Sequence, residues 1–160
     1  MTNESKPPLI KLNVIIFFST FAIALIIVPW YGLTFGYGIE HFVWFVLAYS
    51  FCNLSITAGY HRLWSHKSYE AHPILRTIFA TGGAFALQNS ALHWCSDHRV
   101  HHKYVDKNNK DPYSAKKGFW FSHIGWMLRE YDAINYSDYS NCRDLLKDMS
   151  KRVQKSMFFK

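Results

Sequence analysis

Five of the nine histidines in this 160-residue chain lie in two short motifs. The first motif reads G-Y-H-R-L-W-S-H and the second reads D-H-R-V-H-H. Neutral imidazole is a good ligand for iron, copper and zinc, so clustered histidines at fixed spacing predict a metal site. The candidate ligands are His61, His66, His98, His101 and His102.

Helical geometry separates the two motifs. At about 100° per residue, the three histidines of H-x-x-H-H fall within roughly 100° of one another, so all three could face one ion. His61 and His66 are about 140° apart on an α-helix, and one helix would not aim both at the same ion. We therefore expect the first motif to straddle a helix end, with His61 in the last turns and His66 beyond them.

Two uncharged apolar segments precede the motifs, at residues 12–30 and 42–58. A helix needs about 20 apolar residues to cross a bilayer, so both are predicted to be transmembrane. The first segment ends in Pro29-Trp30 rather than at a small-residue cleavage site, which favours a retained span over a signal peptide.

Positive charge is distributed unevenly around these spans. Lys6 and Lys11 precede the first span, residues 31–41 contain no lysine or arginine, and basic residues are dense after Gly59. The positive-inside rule then places both histidine motifs on the cytoplasmic face of a two-span helical hairpin. Two motifs on one membrane face favour a metal site over the alternative, histidines that cap helices or lie at the interface.

The other histidines fit a metal site less well. His41 falls on the opposite membrane face, His72 precedes a proline in a turn, and His93 is about 140° from His98 on a helix. The remaining candidate is His123, in F-S-H-I-G-W, which we expect to contact a metal ligand, without binding the metal itself, and so to orient that ligand.

The remaining segments predict helices in the cytosol or at the membrane interface. Residues 73–94 carry too many polar groups for a lipid-exposed crossing. We therefore expect one helix that lies partly in the membrane and lines a cavity, with Gln88 facing that cavity. Residues 118–128 are too short to span, and residues 142–159 have the spacing of a basic amphipathic surface helix. The chain is predicted to be one domain with a flexible tail (1–11), the two spans, a histidine-box region (59–128) and a basic tail (129–160).

Composition excludes several classes of protein. The net charge of +7 could suggest nucleic acid, but the basic residues cluster beside apolar segments, which favours an anionic membrane leaflet and no nucleic acid. The three cysteines share no metal-like spacing and predict a reducing compartment. Cys95 is interpreted as a buried residue rather than a ligand.

At these motifs the chain resembles the membrane fatty-acyl desaturases, specifically the stearoyl-CoA (delta-9) type. The resemblance lies in G-Y-H-R-L-W-S-H at 59–66, W-C-S-D-H-R-V-H-H at 94–102, D-P-Y at 111–113 and G-F-W-F-S-H-I-G-W at 118–126. The R-L-W of the first motif argues against a related di-iron membrane hydroxylase, which shares H-x-x-H-H.

The resemblance implies an all-α, four-span membrane fold with a di-iron centre. Dioxygen is the co-substrate, and two hydrogens leave adjacent methylenes of a fatty-acyl-CoA or other acyl chain to form a cis double bond. Electrons come from a carrier such as cytochrome b5 or a ferredoxin. A metal is required because no side chain abstracts hydrogen from an unactivated methylene.

Residue roles follow from the same resemblance. The five motif histidines would be iron ligands, while Trp94 and Gln88 would line the acyl tunnel. Asp97 and Arg129 would contact the headgroup of the acyl carrier. The family commonly has an arginine at the position of Ser96, so the headgroup contact made by that arginine is not expected in the same form in this chain.

The resemblance covers only part of the family pattern. Members of the family have two more spans and a third histidine box, and five histidines cannot fill the coordination shells of two irons. We therefore expect a partial desaturase domain, with an inactive membrane remnant as the alternative.

Overall fold

The computed structural model describes residues 7–107, 110–131 and 138–147. Over these residues every regular element is a helix, and one isolated antiparallel bridge pairs Leu9 with Arg129. The prediction of an all-α fold is confirmed.

The described residues form six helices, which are numbered in chain order. They are α1 (Lys11–Phe35), α2 (Ile39–Ser65), α3 (Pro73–Phe85), α4 (Ala91–Tyr104), α5 (Phe119–His123) and α6 (Arg143–Leu146). Short 3₁₀ turns occur at Ala115–Lys117, Gly125–Met127 and Ser140–Cys142.

Two of these helices, α1 and α2, are long and apolar enough to cross a membrane. They contain 25 and 27 residues, with mean hydropathies of 2.4 and 1.5 in their most apolar stretches. Both extend beyond the predicted segments. A π-helical turn at Ile23–Ile27 precedes Pro29 in α1, where the missing proline N–H interrupts the regular hydrogen bonds. Gly36, at φ 77°, ends this helix.

The described residues divide between two compact units. The first unit is Met1–Phe42 with Tyr104–Ile134, and the second is Val43–Lys103 with Asn135–Lys160. The core of the second unit holds buried residues from α2, α3, α4 and the 138–147 segment. They are Tyr60, Leu63, Trp64, Ala80, Ala91, Leu92, Cys95, Cys142 and Leu145.

In the second unit α3 packs against the last turns of α2 through glycines. A Cβ at Gly59 would lie 2.6 Å from the Cβ of Phe79, and one at Gly83 would overlap the ring of Tyr60. Small residues permit this close approach of two helices, which holds Tyr60, next to His61, in the core.

The prediction of one helix over residues 73–94 is wrong, because the structure divides this stretch into α3 and α4. Leu87 has a φ of 54°, which interrupts the helical backbone. Ser90 then accepts a hydrogen bond from the backbone N–H of His93 and caps the start of α4.

The segment from Cys142 differs from the predicted surface helix in its described part. Helix α6 ends at Leu146, and the side chains of Cys142 and Leu145 are buried in the core of the second unit. Residues 148–160, with most of the predicted amphipathic pattern, lie outside the described residues.

Candidate metal site

The first histidine motif lies in the π-helical end of α2. Residues Ser55–Ser65 are π-helical, and the N–H of His66 donates to the carbonyl of His61 at 2.9 Å. A hydrogen bond between residues five apart stacks them on successive turns of one face. The two Nε2 atoms lie 3.1 Å apart as a result. As expected, the motif straddles the end of α2, with His61 in its last turns and His66 directly after Ser65. The expected angle of about 140° between the two histidines assumed an α-helix, and the π-helical backbone brings both imidazoles together.

Helix α4 supplies the second pair of candidate ligands. His98 and His102 are four residues apart, so they lie one above the other on the same helix face. Their Nε2 atoms are 3.0 Å apart, and Nε2 of His66 lies 3.2 Å from that of His98. The ligand atoms of His61, His66, His98 and His102 all lie within 4.8 Å of one another. We call these four residues the four-histidine cluster.

Three of the nitrogen–nitrogen distances within this cluster fit a single metal ion. Two imidazole nitrogens that each bind one ion at about 2.1 Å lie about 3.0–3.4 Å apart, depending on the coordination angle. The closest pairs in the four-histidine cluster match that separation. The donor set, all imidazole nitrogen, suits iron, copper or zinc.

Two imidazoles of the cluster, those of His66 and His98, have lowered pKa values. Burial, followed by the neighbouring histidines, lowers the pKa of His98 to about 3. Burial also lowers the pKa of His66, with contributions from His61, His102 and Arg99. Both rings are therefore neutral at pH 7, and each offers a nitrogen lone pair.

Trp94 lies directly against the cluster. Its indole stacks on the ring of His98 with centroids 4.7 Å apart and planes 24° apart, and it meets His61 edge-on at 6.3 Å. The half-buried indole covers one face of His98. Of the residues predicted to bind substrate, Trp94 is the one that the structure places in contact with the ligands.

His101 lies beside the cluster but outside the group of converging ligand atoms. Its ring centroid is 5.6 Å from that of His102 and 6.2 Å from that of His98. Gln88 is exposed in the turn between α3 and α4, where its N–H donates to the carbonyl of Gly83.

Asp97 is buried, with 5% of its surface exposed, and its carboxyl contacts the ring of His93 at 3.3 Å. Burial raises the pKa of Asp97 to about 7 and lowers the pKa of His93 to about 4. His93 is therefore uncharged at neutral pH, and its other nitrogen lies 3.3 Å from the hydroxyl of Tyr139.

The two remaining predicted site residues belong to the first unit. Arg129 donates to the carbonyl of Pro7 at 2.6 Å, and its backbone pairs with Leu9. His123, at the end of α5, is exposed and stacks on Phe119 with centroids 5.4 Å apart.

Sequence reasoning missed an ion pair beside the cluster. The guanidinium of Arg99, directly after His98, forms a two-pronged pair with the carboxylate of Asp144 at 2.9 and 3.0 Å. Asp144 lies 42 residues after His102, and no spacing rule connects a carboxylate at that distance with a histidine motif.

Four converging imidazoles at the end of a membrane-length helix define a membrane protein with a histidine cluster that could hold a metal ion. The profile of the fatty acid desaturase family matches residues 40–157, which include both histidine motifs. The chain belongs to the fatty acid desaturase family, as the resemblance in its motifs predicts.

Named relatives agree with this membership. The chain is 43% identical to acyl-CoA desaturase 1 of Saccharomyces cerevisiae over 113 residues, which is 71% of this chain and 22% of that protein. It is 40% identical to human stearoyl-CoA desaturase 5 over 118 residues, 72% of this chain and 36% of that protein. A probable acyl-CoA desaturase of Schizosaccharomyces pombe is 52% identical over 83 residues, 52% of this chain and 17% of that protein. The chain thus spans about a third or less of the length of these relatives.

Proposed function

We propose that this chain contributes two histidine boxes to the iron centre of an oxygen-dependent acyl-CoA desaturase. One observation carries the proposal: the imidazoles of the four-histidine cluster converge within 4.8 Å at the end of a membrane-length helix. Membership of the fatty acid desaturase family and the names of the relatives supply the reaction class.

The reaction balances as R–CH₂–CH₂–R′ + O₂ + 2e⁻ + 2H⁺ → R–CH=CH–R′ + 2H₂O. Iron held by the imidazoles supplies the oxygen chemistry that side chains lack. The two electrons come from a separate carrier, a cytochrome b5 or a ferredoxin. The acyl-CoA provides the two methylenes that lose hydrogen.

The residues of the chain bind and orient the groups around this centre. The four-histidine cluster would hold one iron, and His101, beside the cluster, would be a ligand available to a second iron. Trp94, stacked on His98, holds that imidazole in place and presents its edge to the acyl chain. Gln88 is proposed to line the same acyl path.

The headgroup and outer contacts form a separate part of the proposal. Asp97 and Arg129 are assigned to the CoA headgroup, and His123 to a contact outside the iron ligands. Asp97 is buried against His93 in this structure, so its role would be to anchor the start of the second motif while the headgroup binds near it.

The membrane arrangement is proposed to be multi-pass with the histidine boxes on the cytoplasmic face. Lys11 begins α1, residues 36–38 between the spans carry no lysine or arginine, and Arg62 and Lys67 lie beside the first histidine motif. This distribution of charge is typical of a cytoplasmic N-terminus and a cytoplasmic end of α2.

Iron binding by the purified chain tests the metal site. We expect about one tightly held iron per chain after anaerobic loading with Fe²⁺ and desalting, because the four imidazoles converge in a single group. His98→Ala should lose most of it, since Nε2 of His98 is next to those of both His66 and His102. His72→Asn is the matched control, because Asn can keep the side-chain bond to the N–H of Ile74 at the start of α3.

Equal iron in wild type and His98→Ala would reject the metal site. Desaturation is measured separately, in membranes that contain the protein expressed from its own gene, supplied with a labelled saturated acyl-CoA, oxygen and a reduced electron carrier. A labelled monounsaturated product that disappears in His98→Ala supports the desaturase. Bound iron with unchanged acyl chains would overturn the reaction and leave the metal site standing.

A further inference from the structure

Arg99 connects the two histidine motifs through the backbone. Its Nη2 donates to the carbonyl of Trp64 at 2.8 Å, and its Nε donates to the carbonyl of Ser65 at 3.2 Å. The last carbonyls of a helix have no amide partner within that helix, and a cation there also interacts favourably with the helix dipole. Arg99 of α4 therefore fastens the end of α2 immediately before His66.

Asp144 holds this guanidinium in place from outside both motifs. Its carboxylate accepts from Nη1 and Nη2 of Arg99, and it also lies 3.3 Å from Nζ of Lys67. The planar guanidinium is suited to such two-pronged pairing, which sets its orientation as well as its position. A third contact from the same segment is the carbonyl of Asn141, which accepts from Nη1 at 2.7 Å.

The segment that carries Asp144 is anchored in the core. Cys142 is fully buried and Leu145 is 5% exposed, so both flanks of Asp144 are fixed to the second unit. Asn141 pairs with α4 through the hydroxyl and the carbonyl of Ser96. Asp144 is therefore attached to a fixed support.

We propose that Asp144 is a positioning residue for the metal site. Through Arg99 it sets the separation of His66 and His98, which belong to different helices and different histidine motifs. This inference rests on the proposed function only in taking the four-histidine cluster to be the metal site.

The positions of the bonds to Arg99 support this role. We call the bonds from Arg99 to the carbonyls of Trp64 and Ser65 and to the carboxylate of Asp144 the clamp. His66 directly follows Ser65, whose carbonyl Arg99 holds, and His98 directly precedes Arg99 in α4. The two Nε2 atoms are 3.2 Å apart, and each belongs to a residue that is the direct chain neighbour of a residue in the clamp. Loss of the carboxylate frees the guanidinium to turn toward solvent, and the end of α2 can then shift relative to α4.

Co²⁺ binding to the full chain in detergent tests this role, because its ligand-field spectrum reports the geometry of the ligands directly. We expect Asp144→Asn to weaken Co²⁺ binding by about 10- to 100-fold, the usual effect of losing a group that orients metal ligands, and to change the spectrum of the bound ion. Arg99→Lys should also weaken binding, since one ammonium cannot hold two carbonyls and both carboxylate oxygens.

Two controls separate the clamp from general charge and from unfolding. Asp138→Asn makes the same change in the same segment while keeping an oxygen acceptor for the N–H of Ser140, and Lys67→Met removes the second ion pair of Asp144 while leaving Arg99 in place. Both should bind Co²⁺ within about twofold of wild type. Helical content by circular dichroism should be unchanged in every variant.

The outcomes distinguish this inference from the proposed function. Wild type that binds no Co²⁺ would overturn the metal site and the positioning role together. Wild-type affinity and spectrum in Asp144→Asn would overturn only the positioning role, as would a loss in Lys67→Met as large as that in Asp144→Asn. If Asp144→Asn loses its helical content, Arg99→Lys decides: an unchanged Co²⁺ spectrum in that variant contradicts the clamp.

Discussion

Individual imidazoles in this chain owe their chemistry to their neighbours. Burial, to which the stacked ring of Trp94 contributes, and then the neighbouring histidines keep the pKa of His98 near 3. A histidine that stays neutral across the physiological range offers its lone pair to a metal without first losing a proton. The unprotonated nitrogen of His98 is therefore available to a metal ion.

Trp94 should report metal binding by its fluorescence. Because its ring lies 4.7 Å from that of His98, a paramagnetic ion such as Co²⁺ or Cu²⁺ in the cluster will quench it strongly. We expect Trp94→Phe to remove a large share of the metal-dependent quenching of the chain. Trp44→Phe is the control, because Trp44 lies 17 residues before His61 along α2, on the order of 25 Å away. Equal quenching in both variants would contradict this placement.

The carboxyl of Asp144 gives a pH-dependent contribution to stability. Burial raises its pKa, but the hydrogen bonds and charges of Arg99 and Lys67 outweigh burial and lower the pKa from 3.8 to about 2. A depressed pKa stabilises the fold fully above the unfolded value and loses that effect as pH falls through the folded value. The Tm of wild type should exceed that of Asp144→Asn above about pH 4, and the difference should shrink toward pH 2. A difference in Tm that is constant from pH 7 to pH 2 would contradict this ion pair.

Among the elements, the π-helical end of α2 decides whether the first motif can bind metal. Its hydrogen bond from the N–H of His66 to the carbonyl of His61 places the two histidines on one face. Helix α3 packs against this part of α2 through Gly59 and Gly83, and it keeps Tyr60 buried beside His61. The close packing of α3 therefore supports the unusual backbone.

Gly83→Ala tests that support. The added Cβ would overlap the ring of Tyr60, a fully buried side chain with little room to move. Overpacking of this kind costs about 1–3 kcal/mol, so we expect a clearly lower free energy of unfolding, measured in detergent by circular dichroism. Thr81→Ala, at an exposed site on the same helix, should change it by less than about 0.5 kcal/mol. Equal stability of the two variants would mean that α3 does not pack closely on α2.

For the whole molecule, α1 and α2 are the membrane-length helices, and the proposed topology places residues 36–38, which connect them, on the face opposite the histidine motifs. Cysteine labelling tests it in sealed vesicles of known orientation, in a background with Cys52→Ser. An impermeant maleimide should reach Ser68→Cys, after the first motif, from the cytoplasmic side only. It should reach Leu33→Cys, near the end of α1, from the other side only. Labelling of both positions from one side would contradict the two-span arrangement.

Several features followed from the sequence by itself. Apolar length predicts α1 and α2, because a bilayer requires about 20 apolar residues in a row whatever the rest of the fold does. The spacing of H-x-x-H-H predicts that its three histidines could face one ion, and two of them, His98 and His102, join the four-histidine cluster. With R-L-W in the first motif, these patterns also led to the desaturase family, which the family profile confirms.

Other features were decided by tertiary structure alone. The convergence of His61 with His66 depends on a π-helical backbone, which side-chain spacing on an ideal α-helix does not reveal. The break between α3 and α4 depends on the backbone conformation of Leu87. The burial of Cys142 and Leu145 depends on the core that α2, α3 and α4 form together. The ion pair of Arg99 with Asp144 joins residues 45 positions apart, and local patterns carry no information about contacts of that range. The sequence therefore predicted the candidate ligands, whereas packing between helices determined that four of them converge within 4.8 Å.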